Sequence, residues 1–348
     1  MDGRAALDWC RSRPGVTEEL PFGPDVRVFK VWGRMFATCP SGPDPAHVSL
    51  KCEPRFAEHL RAENAAITAA YHMSKRHWNS VRLDADLAHE LVEDLLGHSY
   101  TLVVDGLPRR YRELTLGRAR LDEAAFVTGD FGSAEAPLAR ARVLAEAAED
   151  RRCLAAALDQ LGTLRHWRNL EPWDGHGFPK AAPGDVAEEL GLVEQAVAIR
   201  RGLGHHAEIG ESVFRVGLVH QLFTGDWDQA ERCFAEARGL AEAAGDCWLL
   251  FESRRHMGAV AWHHGDFDQA IEHLTASLEH SLRIGWHGGA TALIALGRCE
   301  LAAGRRPDGI AHLRRGVELA ESRRMRAHIV DPARRALVEA TRQQEGGE

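Results

Sequence analysis

The 348-residue chain lacks most of what would mark a membrane protein or a familiar class of enzyme. No apolar run approaches the roughly 18 residues that a bilayer-spanning helix requires. The N-terminal MDGRAALDWCRSRPG has no apolar core of the kind a secretion signal carries. A soluble, cytoplasmic chain with no membrane partner is expected. The seven cysteines, at 10, 39, 52, 153, 233, 247 and 299, form no C-x-x-C pair, so reduced, scattered thiols are expected rather than a disulfide framework. Nothing around Cys10 would make it a nucleophile. There is no G-x-x-x-x-G-K-[ST], no G-x-S-x-G and no H-E-x-x-H. None of the 19 histidines stands three or four residues from another, the spacing that puts two ligands on one metal. No catalytic residue, cofactor or metal is expected, and the acid pairs Glu18-Glu19 and Glu188-Glu189 read as solvated.

Lysine is scarce, with four residues (30, 51, 75 and 180) against 39 arginines, a skew that fits a GC-rich genome and carries no functional weight. The net charge of −8 is uneven, with −1 over residues 1–116 and −7 over the rest. Neither part has the broad basic field that supplies non-specific affinity for nucleic acid.

What is present divides near residue 115. Before it, β-branched and aromatic runs VRVFKVWG (26–33), RMFATCP (34–40), VSLKC (48–52) and SVRLD (80–84) are bounded by Gly, Pro and Asp. Gly33-Arg34 stands between the first two at hairpin spacing. Helical periodicity runs over Arg4–Arg13, Pro54–Glu63 and Leu87–Val104. The pattern predicts an α+β domain of a small antiparallel sheet with helices.

After residue 115 the sequence repeats. GDWDQA (225–230) recurs forty residues later as GDFDQA (265–270), with weaker copies GDFGSA (129–134) and GRRPDG (304–309). Aligned on glycines 129, 225, 265 and 304, the fifth following residue is Ala134, Ala230, Ala270 or Gly309. Four further on stand Leu138, Phe234, Leu274 and Leu313, and three beyond those Ala141, Ala237, Ser277 and Gly316. Gly258 and Gly297 come seven residues before two of the loop glycines. Small residues at this spacing let antiparallel helices approach closely. The loop glycine would end the first helix and the following Asp would cap the second. The pattern resembles tetratricopeptide repeats. The period of 39–40 and the AAGD at 243–246 are similar to the longer repeats attached to many bacterial transcriptional regulators. An all-α superhelical repeat domain over 118–344 is implied.

One unit is longer by a Pro/Gly-rich insertion at 168–185 that is not expected to be helical. With Trp167, it concentrates Trp173, His176 and Phe178. Two readings stay open for it, a loop folding back over its own helices and a ligand or partner contact. First helices over about 154–167, 206–224, 247–264 and 287–303 should build the binding groove. His220, Arg254, Arg255, His256, Trp262 and His263 are its other contact candidates, since Arg and aromatics are enriched at the energetic centres of interfaces, with packing between helices the alternative for Trp262.

The stretches WCRSRPG (9–15), EELPFG (18–23), VFKVWGRMFA (28–37), VSLKC (48–52), YHMSKRHWNSV (71–81) and SYTLV (99–103) resemble the MmcQ/YjbR-like family. That resemblance covers nearly all of 1–112 and implies a frataxin-like α+β fold for residues 1–115. The family is commonly described as DNA-binding, and the residues to carry such contact are Lys30, Arg34, Lys51, Lys75, Arg76, His77, Trp78 and Asn79, the last five read as one basic-aromatic loop. Trp78 packing on the sheet, with Lys75 and Arg76 pairing with local carboxylates, is the alternative. Together these features point to a non-enzymatic binding or adaptor protein whose groove takes a protein, a peptide or a small ligand. A DNA-associated regulator with an effector-sensing solenoid, and a protein that sequesters a drug or metabolite in the groove, remain open.

Overall fold

A computed structural model describes residues 1–85, 87–171, 179–284, 289–325 and 327–345. The chain divides into two compact units, 1–119 and 120–348.

The first unit is built on a six-stranded antiparallel sheet: β1 (Val16–Glu19), β2 (Val26–Val31), β3 (Arg34–Pro40), β4 (His47–Lys51), β5 (Ile67–Ala69) and β6 (Trp78–Arg82), in the order β1-β2-β3-β4-β6-β5. Three helices join it: α1 (Gly3–Arg11), α2 (Pro54–Glu63) and α3 (His89–Asp105). The β2–β3 turn is Trp32-Gly33, one residue earlier than the sequence suggested, with both residues at positive φ (48° and 83°) as a two-residue hairpin demands. Phe29, Val31, Phe36, Ile67, Val81 and Leu96 form one core between sheet and helices. Ser99 fastens α3 to the sheet, its buried hydroxyl donating to the Phe36 carbonyl (2.5 Å) and accepting from the Lys51 amide (2.8 Å).

Helix pairs follow. α4 (Arg109–Glu123) continues into a π-helical turn (124–128) and is followed by α5 (Gly132–Ala147). The next pairs are α6 (Arg151–Leu170) with α7 (Pro183–Leu203), and α8 (His206–Val219), extended by a second π turn (220–224), with α9 (Trp227–Ala244). α10 (Cys247–His263) then pairs with α11 (Phe267–Ile284), α12 (Gly289–Ala302) with α13 (Arg306–Ser322), and α14 (Ala327–Glu345) comes last. Each second helix packs on the first helix of the next pair, and α6, α8, α10, α12 and α14 touch in succession. The first helices therefore form one continuous layer.

The small-residue spacing explains the pairing. Glycines 129, 225, 265 and 304 all take left-handed φ between 69° and 81°, ending the first helix. Asp226 and Asp266 accept the Gln229 and Gln269 amides at 3.0 Å, capping the second. Ala134, Ala230, Ala270, Leu138, Phe234, Leu274, Leu313, Ala141, Ala237 and Ser277 are all buried. A Cβ on Gly258 would lie 2.7 Å from the Leu274 side chain, and one on Gly297 2.7 Å from the Gly309 carbonyl oxygen. Gly217 plays the same part against Phe234 (2.7 Å), although it stands eight rather than seven residues before its loop glycine. The π turn at 220–224 absorbs the extra residue and restores the register.

The insertion is shorter than the sequence suggested, because Arg168–Leu170 complete α6 and Pro183–Asp185 open α7. Proline is compatible with a helix's first turn, where no intrahelical partner for its missing N–H is needed.

Candidate functional site

The first-helix layer is where the groove candidates fall, and helix geometry sorts them. On α10, Phe251, Arg254 and Gly258 face α11. The Phe251 carbonyl accepts from Ser277 (2.8 Å), Arg254 meets His273 Nδ1 (3.1 Å) and Gly258 abuts Leu274. Arg254 thus belongs to the packing between paired helices. A second stripe, about 100° around the helix, carries Glu252, Arg255, Ala259 and His263 at positions i, i+3, i+7 and i+11.

Behind that stripe the layer is polar inside. His256 is buried between Phe214 and Phe234. Its Nδ1 lies 2.5 Å from Gln221 Oε1 and its Nε2 lies 2.7 Å from the Arg255 guanidinium. A neutral ring with its proton on Nδ1 donates to Gln221 and accepts from Arg255. Burial, with the nearby Arg255 and His166 charges, holds its pKa well below 6.5, consistent with that tautomer. Arg255 also donates to Glu252 at 2.5 Å. Gln221 belongs to the π turn.

Two further buried networks lie along the same layer. His166 Nδ1 and Asn169 Nδ2 both reach the Glu189 carboxylate at 2.8 Å. Glu189 is therefore no solvated acid, since it is 1% exposed and ties α7 to α6. Asp159, wholly buried, accepts from Ser212 (2.7 Å) and pairs with Arg215 (2.6 Å) and Arg200 (3.4 Å). These contacts tie α6 to α7 and α8, and α10 to the π turn that follows α8.

The rim is more accessible. Trp167 and His220 are half-buried, and His220 meets Thr224 at 3.2 Å. His263 is exposed and stacks on Trp227, with ring centroids 3.9 Å apart and 9° between planes. Trp262 is half-buried, packed with Ala261, Ala270 and Leu296, and the Arg298 guanidinium lies 5.9 Å from its ring centroid. Trp173, His176 and Phe178 lie outside the described residues.

In the first unit the expected basic-aromatic loop divides. Trp78 and Asn79 begin β6 and are buried, at 7% and 2% exposure. Asn79 Nδ2 donates to the Ala57 carbonyl (3.2 Å), and its Oδ1 accepts from Arg61 (2.6 Å). A base cannot stack on either side chain. Lys75, Arg76 and His77 remain exposed in the preceding turn and form no ion pair among the described residues. Tyr71, 83% exposed, stands in the same loop with its ring 4.0 Å from that of His72. Lys30 pairs with Glu19, Arg34 donates to the Gly106 carbonyl (2.8 Å), and Lys51 lies half-buried on β4 beside Cys52 and His98. Glu18 and Glu19 are not simply solvated either, since they lie on β1, where Glu18 pairs with Arg11 (2.8 Å) and Arg27.

Burial pushes the Cys39, Cys52, Cys233 and Cys299 thiols up to about 11 and raises Cys10 well above 9, far from a nucleophile's range. No group of three or more His, Cys, Asp or Glu that could hold a metal occurs among the described residues. No described helix is long and apolar enough to cross a membrane.

Family comparisons match both units. The YjbR model matches residues 11–102, and a tetratricopeptide repeat model matches 249–322, which spans α10 to α13. The uncharacterized protein YbdF of Escherichia coli O157:H7 is 36% identical over 90 residues, 26% of this chain and 74% of its own length. The uncharacterized protein YjbR of Escherichia coli K12 is 31% identical over 108 residues, 31% of this chain and 92% of its own. Among solved structures, aspartyl phosphate phosphatase F from Bacillus subtilis is 12% identical, with a TM-score of 0.49, over 75% of this chain and 67% of that one. The chain carries tetratricopeptide repeats and, through residues 11–102, belongs to the YjbR family.

Proposed function

We propose that this protein is a non-enzymatic adaptor whose first-helix layer recognises a polypeptide segment of a partner, with the YjbR domain as a second binding surface. The observation that carries the reading is the division of labour within α10. One stripe is spent on packing against α11, while the other presents Arg255, Ala259 and His263 along a layer continuous with α8 and α12. Buried polar networks fix that layer in register, so a partner meets a pre-ordered surface and less binding energy is lost to ordering it. Selection of peptides from a random library on the full chain tests the reading. Related peptides should emerge, and Ala259→Glu should weaken them about tenfold or more while leaving the fold intact, as expected when a charge enters the core of an interface. Failure to enrich any related sequences, or indifference to Ala259→Glu, would contradict it.

A second reading, DNA association, is favoured by one observation: Lys75, Arg76 and His77 are exposed beside the exposed Tyr71 and form no ion pair among the described residues. It predicts salt-sensitive binding of the full chain to DNA, weakened by Lys75→Glu and Arg76→Glu but not by Trp78→Phe. Absence of a mobility shift at low salt rules it out.

A further inference from the structure

Near the end of the array, Trp262 of α10, Arg298 and Leu301 of α12, Arg306 of α13, and Ala336, Glu339 and Ala340 of α14 enclose an open pocket of about 230 Å³. Its walls are of two kinds. Trp262, Leu301, Ala336 and Ala340 give apolar surface, and two guanidiniums stand among them. Arg306 is engaged, donating to the Ala340 carbonyl at 2.9 Å. Arg298 is not. It lies over the Trp262 ring and forms no ion pair among the described residues. Most arginines near the repeat loops are otherwise occupied; Arg305, for example, pairs with Asp268 at 2.6 Å.

We propose that this pocket binds a small carboxylate with an apolar or aromatic body, the carboxylate on Arg298 and the body against Trp262 and Leu301. A planar guanidinium offers a carboxylate two parallel donors, and the neighbouring indole face keeps the fork oriented and partly shielded from water. Arg306 adds positive charge on one side. Glu339, also without an ion pair among the described residues, places a negative charge on the α14 wall, so a monocarboxylate suits the pocket better than a dicarboxylate. Because the walls come from four helices, the ligand would bridge α14 to the preceding repeats, and binding to the folded state alone stabilises it by mass action. This site is separate from the Ala259 stripe and does not rest on the polypeptide-recognition reading.

The test uses the full chain and three probes of one skeleton: 3-phenylpropanoate, 3-phenylpropanol and phenylsuccinate. Titration calorimetry should show saturable binding of 3-phenylpropanoate, with the neutral alcohol weaker by about tenfold or more, the usual size of a lost charge-assisted hydrogen bond, and the dicarboxylate weaker because its second carboxylate meets Glu339. Arg298→Gln should weaken the carboxylate by a similar factor and leave the alcohol unchanged, and Arg298→Lys should fall between. Amide exchange in α14 should slow with 3-phenylpropanoate in the wild-type chain only. The proposal is overturned by equal binding of carboxylate and alcohol, by an Arg298→Gln chain that binds as wild type, or by no saturable binding of any probe at millimolar concentration.

Discussion

Replacing Gly297 with alanine adds one methyl group where α12 and α13 cross. In an open helix interior that change stabilises by about 1 kcal/mol, because alanine loses less backbone entropy than glycine. At Gly297 the new Cβ would lie 2.7 Å from the Gly309 carbonyl oxygen and the Leu313 amide nitrogen. Both are backbone atoms, so no side chain can swing aside. The helices must separate by about 0.7 Å to restore an ordinary 3.4 Å contact. Overpacking of this kind costs about 1–3 kcal/mol, which outweighs or cancels the propensity gain. The variant should be less stable by up to about 2 kcal/mol in urea unfolding followed by helix ellipticity. Gly239, exposed in the interior of α9 with nothing within 4 Å of its Cβ position, is the control. Gly239→Ala should be more stable than wild type by up to about 1 kcal/mol. Gly258→Ala should fall between the two, because the nearest atom it meets belongs to the flexible Leu274 side chain. If Gly297→Ala and Gly239→Ala prove equally stable, the close-approach account of the repeat is wrong.

Other consequences can be measured in the same unfolding assay. Asp159→Ala leaves Arg200 and Arg215 without their buried partner and should cost about 3–5 kcal/mol, while Asp159→Asn should cost less. Asp266→Ala removes the cap on the Gln269 amide and should cost about 1 kcal/mol. His256, facing Arg255, Glu252, Gln221 and His166, has a folded pKa below the 6.5 of the unfolded chain. As pH falls below about 6.5, the unfolded state takes up the proton first, so stability must fall with it. His220 and His273 are shifted the same way by burial. His256→Gln should flatten the pH dependence between 6.5 and 5 without abolishing it; an unchanged slope contradicts the assignment.

Local rules carried the repeat architecture well. The loop glycines, the Asp caps and the small residues at fixed offsets are each settled by neighbours a few residues away, and the structure places them accordingly. Gly217 escaped notice because the π turn moves it one place off the common spacing. β1 and β5 were missed for lack of apolar alternation: VTEE is a polar edge strand, and ITA is three residues long. Glu189 and Asp159 show the deeper limit. A carboxylate on a helix reads as solvated until its partners are known, and those partners lie 20 residues away for Glu189 in Asn169 and 53 for Asp159 in Ser212. The one cue was the Asp159-Gln160 pair within the otherwise apolar LAAALDQLG. The run from Lys75 to Asn79 looked like one cluster because adjacency in sequence hides the start of β6, which takes Trp78 and Asn79 into the interior.

Site-specific photocrosslinking tests the central claim most directly. A benzophenone side chain placed at Ala259 or His263, on the first-helix layer, should yield a polypeptide adduct in the native cell. The same group at exposed Thr275, on α11, should yield none. Adducts from Thr275 alone, or equally from all three positions, would contradict recognition by the first-helix layer.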